Sequence, residues 1–270
     1  MTNDSKPRRG IYLLPNLFTT AGLFAGFYAV ILSMAGRFEA AAVAIFVAMV
    51  MDGLDGRVAR LTNTQSAFGV EYDSLADMAS FGMAPALVAY QWSLIHFVEL
   101  GAGWAKLGWL GAFVYAAGAA LRLARFNTQV GKADRRYFQG LPSPAAAAVV
   151  AGFVWVADDL GLDGAGLLWA TFGLVIGGGV LMVSNIRYHS FKDMHLKNRV
   201  PFVALLVVVL AFIFASIDPP KVLFGVVFLY ALSGPLLTIF QLRRRRAERE
   251  QRTEARGASE EGEPPSDGLP

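Results

Sequence analysis

The chain has 270 residues, of which 55% are hydrophobic and 17% charged, with a formal net charge of +3 and no cysteine. Disulfide staples and thiolate metal sites are thereby excluded. The mean hydropathy of +0.45 comes from apolar runs long enough to cross a hydrocarbon core of about 30 Å, which takes roughly 20 helical residues.

Strand-like alternation is not sustained anywhere, so the pattern predicts an all-α integral membrane protein and not a β-barrel. Eight transmembrane helices are expected, at about 14–34, 38–58, 71–97, 107–126, 143–160, 165–186, 200–217 and 221–241. The basic start followed by an apolar run superficially suggests a signal peptide. Leu13–Met34 is long for one, however, and no cleavage site leads into a soluble domain, so it reads as a retained first span. The second span is unusual, because the apolar stretch Ala40–Met51 runs straight into MDGLDGRVAR. Glycine, 28 residues in all, allows close helix approach.

Loop charge sets the expected topology. With a cytoplasmic N-terminus and eight spans, only Arg37, Lys106 and Lys221 of the 24 Lys and Arg residues fall outside. The outer loop with Asp158, Asp159 and Asp163 has no base, as the positive-inside rule demands. The pI near 9.2 therefore reflects topology and implies no nucleic-acid partner. Residues 1–241 are expected to form one transmembrane catalytic domain. Residues 242–270, from RRRRAEREQR to EEGEPPSDGLP, form a basic then acidic cytoplasmic tail with a disordered end. Its arginines stop transfer, bind anionic headgroups, or both.

From Asp52 the chain reads DGLDGRVARLTNTQSAFGVEYDSLAD. Asp52 and Asp55 are three apart and Asp73 and Asp77 four apart, so on helices each pair shares a face. A short polar connection lets a hairpin bring all four together. Clustered carboxylates at a membrane edge need compensation. Arg57 and Arg60 match them poorly, whereas Mg²⁺ or Mn²⁺ takes oxygen ligands and is readily shared with phosphates. With His96, His189 and His195 all distant in sequence, a zinc-type site is not expected. Gly56 and Ala59 leave a helix face without bulk for a nucleotide, and Arg60, one turn beyond Gly56, is placed to hold a phosphate.

Asp52, Asp55, Gly56, Ala59, Arg60, Gly69, Asp73 and Asp77 reproduce every fixed position of D-x2-D-G-x2-A-R-x8-G-x3-D-x3-D, a pattern that resembles the CDP-alcohol phosphatidyltransferases. The resemblance implies a core of six transmembrane helices, to which two predicted spans are added, and a homodimer. It implies that Asp52, Asp55 and Asp73 ligate one metal ion and Asp52, Asp73 and Asp77 a second. Asp77 also takes the acceptor hydroxyl's proton. Gly56, Arg60 and Ser66, with Pro15 and Asn16 at the start of the first span, contact the cytidine-diphosphate part of the donor. Physically, two cations bridging a pyrophosphate neutralise the transferred group and the leaving nucleotide, and a carboxylate base activates a weak hydroxyl nucleophile.

The stretches RRGIYLLPNLFTTAGLFAGFYAV, DSLADMASFGMAPAL, RLARFNTQ, FQGLPSPAAAA and LMVSNIRYHSFK look like the membrane-integrated phosphatidylserine synthases within that family. They imply CDP-diacylglycerol as donor and L-serine as acceptor. Arg122, Arg125 and Asn127 end the fourth span on the same side as the aspartates, and a guanidinium suits a carboxylate. Arginines there are equally explained by topology. Ser143 reads as part of an ordinary helix start, and Arg187 as topogenic. Glycerol-3-phosphate, inositol phosphate or choline is an alternative acceptor, and an ion-coupled transporter a rival of another class. No targeting signal is legible, which suggests a bacterial inner membrane with the site facing the cytoplasm.

Overall fold

A computed structural model describes residues 13–129, 137–189 and 216–238. The described chain runs through α1 (Leu13–Met34), α2 (Phe38–Leu61), α3 (Ala67–Asp77), a π-helical turn (Met78–Met83), α4 (Ala84–Trp92) and a 3-10 helix (Leu94–Leu100). It continues through α5 (Ala102–Gln129), β1 (Tyr137–Gln139), α6 (Ser143–Asp159), α7 (Leu168–Val183) and β2 (Arg187–His189), and closes on α8 (Pro219–Thr238). The helical class is as expected. β1 and β2 add one antiparallel pair, with Phe138 opposite Tyr188, too short to leave a pattern in the sequence.

α1, most of α5 (Ala102–Thr128) and α8 are each long and apolar enough to cross a membrane. The bent pair Ala67–Trp92 and Leu94–Leu100 adds a fourth such element if taken as one span. Among the described residues, three helices, or four counting the bent pair as one span, thus pass on length and composition, so the expected count of eight is not established. α2 contains Asp52, Asp55, Arg57 and Arg60, while α6 and α7 have 17 and 16 residues, short of the roughly 20 a full crossing takes. The predicted span at 200–217 lies almost wholly outside the described residues, as does the tail beyond 238.

α1 and α2 form a tight antiparallel hairpin turned at Gly36, whose φ of 71° suits glycine. α2 then ends on Asn63 in the left-handed region, φ 52°, with the Thr64 N–H donating to the Ala59 carbonyl at 3.0 Å; an asparagine at such a helix end is a common stop. Three residues later Ser66 caps α3, its Oγ accepting the Gly69 N–H at 3.0 Å. This short connection folds α3 back against α1.

Helices in lipid gain little from burying apolar surface against one another, so they associate through close packing. Here alanines contribute much of that packing, beside larger residues such as Ile45, Phe81 and Val154. One cluster joins α1, α2, α4 and α6 through Ala29, Ala41, Ala48, Ala84 and Ala151; another joins α5, α6, α7 and α8 through Ala119, Ala146, Val150, Val175 and Ala231. Large residues such as Phe24, Phe27, Trp109 and Phe113 stay on the outside, where lipid would solvate them. The π-helical turn, a feature found often at functional sites, directly follows Asp77. It is pinned from two sides: Ser80 Oγ donates to the Gly22 carbonyl at 3.2 Å, and the buried Tyr115 hydroxyl donates to the Phe81 carbonyl at 3.2 Å.

Tyr188 of β2 ties α8 to this body. Its hydroxyl donates to the Ala231 carbonyl at 3.0 Å, and its ring lies where any side chain at Gly234 would stand. Burial, and then the neighbouring Tyr230, pushes the Tyr188 phenol up to about 12, so it remains a donor at neutral pH.

Candidate active site

Each aspartate pair lies on one face of its helix, and the antiparallel course of α2 and α3 turns the two faces together. One carboxylate oxygen from each of Asp52, Asp55 and Asp73 can be chosen so that all lie within 4.8 Å of one another. Asp77 abuts Asp52, and Asp73 abuts Asp55. Asp55 is buried, with 5% of its surface exposed, and the other three are half-buried. They surround a cavity of about 10 Å³ closed from below by Gly22, Ala48 and Phe81, room for about one water-sized sphere. The acids are recessed further than the sequence suggests. α2 continues to Leu61 and α3 begins at Ala67, so Asp52 lies about two and a half turns inside its helix.

Carboxylates held this close in a poorly hydrated cleft repel one another. An all-oxygen donor set of this kind fits a hard divalent cation. Asp52, Asp55 and Asp73 form the group among the described residues that meets that geometry.

The residues expected to meet a nucleotide gather at the open end of the same cleft. The Arg60 guanidinium lies over Gly56, with Nη1 3.4 Å from where a Cβ on Gly56 would stand. Pro15 is buried and Asn16 half-buried at the start of α1. Asn16 Oδ1 is 3.5 Å from the corresponding position on Gly69, which Ser66 Oγ approaches at 3.1 Å. Ser66 therefore has a structural task as the α3 cap. Thr20 Oγ1 donates to the Asn16 carbonyl at 2.7 Å, which leaves Tyr72 as donor in the 2.9 Å hydroxyl pair that links α1 to α3.

The predicted acceptor residues part company. Arg122 is half-buried, near Asp77 and Asp52, and donates from Nη1 to Ser143 Oγ at 2.6 Å. Arg125 instead reaches Asn185 at 3.3 Å. Asn127 donates to Ser74 Oγ at 3.1 Å, beside Asp73 in sequence. The side chains of Arg187 and His189, and all of His195, lie outside the described set, and His96 pairs with Glu99.

Two residues of the site are not marked by the motif. Tyr230 of α8 stands beside Arg122, a neighbour from more than a hundred residues away that no spacing announces. Thr19 donates to Asp55 Oδ2 at 2.7 Å. Its signal in the sequence is faint: a hydroxyl four residues after Pro15, hence on the same helix face.

These features define a helical membrane protein with an acidic, cation-suited cleft recessed at one end of its helices. The chain belongs to the CDP-alcohol phosphatidyltransferase family, whose model matches residues 12–177. It is 34% identical over 226 residues to a CDP-diacylglycerol–serine O-phosphatidyltransferase of Helicobacter pylori (strain J99), covering 84% of this chain and 92% of the relative. A protein of the same description from Mycobacterium bovis is 36% identical over 220 residues, covering 78% and 73%. An archaetidylserine synthase of Methanothermobacter thermautotrophicus is 32% identical over 197 residues, covering 72% and 76%. The chain is thus a transferase of phospholipid biosynthesis, and the transporter reading falls away.

Proposed function

We propose that the protein transfers the phosphatidyl group of CDP-diacylglycerol to the hydroxyl of L-serine, forming phosphatidylserine and CMP. The observation that carries this reading is the convergence of Asp52, Asp55 and Asp73 within 4.8 Å, with Asp77 against them, in a chain related to serine-accepting transferases. Two ions, Mg²⁺ or Mn²⁺, are held by these acids, Asp52, Asp55 and Asp73 for one and Asp52, Asp73 and Asp77 for the other. When bound they neutralise the pyrophosphate and stabilise the leaving CMP. Arg60, over the small Gly56, grips a donor phosphate at the mouth, with Pro15, Asn16 and Ser66 along the nucleotide.

Asp77 is the residue placed to remove the serine hydroxyl proton. It is the last residue of α3, at the junction with the π-helical turn, and the pinning of that turn fixes its position. Arg122, fixed by Ser143 and next to Asp77, is suited to hold the serine carboxylate. The nucleophile would then sit between its binding group and its base.

The site faces the cytoplasm of a bacterial inner membrane, in an eight-span homodimer whose residues 1–241 form the catalytic domain. Arg37, Glu39, Asp158 and Lys221 lie at the end of the bundle opposite the acids, which agrees with that orientation. The test is CMP release by purified protein with a panel of alcohols and divalent ions. Release that requires serine supports the assignment; release with glycerol-3-phosphate, inositol phosphate or choline but not serine overturns it.

A further inference from the structure

We infer that Thr19 of α1 is a positioning residue for the metal centre, acting by fixing the carboxylate of Asp55. This rests on the reading of the acid cluster as a cation site and names a residue outside the motif. Thr19 and Asp55 are each only 5% exposed, so neither side chain has bulk water to turn to. The Thr19 hydroxyl has one proton and two acceptors in reach: the Pro15 carbonyl at 3.2 Å and Asp55 Oδ2 at 2.7 Å. The first is the local back-bond that any helical threonine can make. The second is shorter and its acceptor is a carboxylate, which makes it the stronger bond.

The consequence is a division of labour on Asp55. Oδ2 is engaged by α1, which stops the carboxylate rotating about its terminal torsion, and the remaining lone pairs are left for a cation. Outer partners of this kind orient metal ligands, and their loss typically costs 10–100-fold in metal affinity. The geometry also explains why α1 must be fixed against the rest of the site. Gly22, the next turn along the same face, accepts the Ser80 hydrogen bond, so one helix face holds both Asp55 and the turn after Asp77.

The experiment measures Mn²⁺ affinity of the purified full-length chain in detergent by electron paramagnetic resonance, alongside its thermal midpoint. Thr19→Val keeps the shape and removes the donor; Thr19→Ser keeps the donor and removes the methyl; Thr19→Ala removes both. Thr19→Val should bind Mn²⁺ about 10–100-fold more weakly, with Thr19→Ser close to wild type. Should Thr19→Val fail to fold, the Ser and Ala variants make the same comparison. Wild-type affinity in Thr19→Val, or equal losses in the Ser variant and the variants without a hydroxyl, would overturn the role of Thr19 alone. Failure of the wild type to bind Mn²⁺, or binding unaffected by Asp52→Asn, would remove the metal reading and this inference with it.

Discussion

Arg122 Nη1 donates to Ser143 Oγ at 2.6 Å, tying the C-terminal part of α5 to the first residue of α6 and aiming a guanidinium at the aspartates. Arg122→Lys keeps the charge and loses the planar fork. The KM for serine should rise about tenfold, equivalent to about 1.4 kcal/mol, with a smaller rise for Ser143→Ala. Steady-state CMP release at varied serine checks this, and an unchanged KM would leave Arg122 with a topological role only.

Asp77→Asn should lower kcat by about 10²–10⁴-fold, the usual contribution of a general base, because the amide cannot accept the hydroxyl proton. Binding of a cytidine nucleotide, followed by calorimetry, should be largely retained. Near-normal turnover in this variant would mean that another group is the base.

Chelation should abolish CMP release, and added Mg²⁺ or Mn²⁺ should restore it. Asp52→Asn should shift the metal dependence to higher concentration, since Asp52 faces both Asp55 and Asp77. Calorimetry that detects no uptake of either ion, with or without a cytidine nucleotide, would contradict the site's assignment.

Gly26→Ala should be destabilising by about 1–3 kcal/mol, the range for overpacking a close contact. A Cβ there would stand 2.7 Å from Ser80 Cα and 2.5 Å from its Oγ, forcing α1 away from the turn that positions Asp77. Melting in detergent should show the loss, and activity should fall with it. Gly173→Ala is the control: no atom lies within 4 Å of its Cβ position, and it should melt at or slightly above the wild-type temperature.

The motif was readable because helical spacing is a local property. Residues three or four apart share a helix face wherever the helix ends up, so Asp52 with Asp55 and Asp73 with Asp77 could be paired without coordinates. Span counting was less secure. α7 begins and ends about three residues inside its predicted limits of 165 and 186, where Ser184 stops the helix, whereas α6 matches its predicted span to within one residue. The π-helical turn has no periodic signature; it depends on hydrogen bonds from Ser80 and Tyr115 to partners far away in sequence. Arg122, Arg125 and Asn127 look equivalent along the chain, yet helix rotation directs only Arg122 to the acids.

The amino-acid sequence by itself determined the helical membrane class, the family and the four carboxylates, because composition, loop charge and short-range spacing are properties of neighbouring residues. Only the tertiary structure decided that Thr19 meets Asp55 across 36 positions, that Tyr230 stands beside Arg122, and that the acids are recessed inside their helices. Those relations depend on how helices rotate and approach one another, and here glycine contacts such as Gly26 on Ser80 set that approach. Distances of this kind arise from packing between segments, which no local pattern encodes.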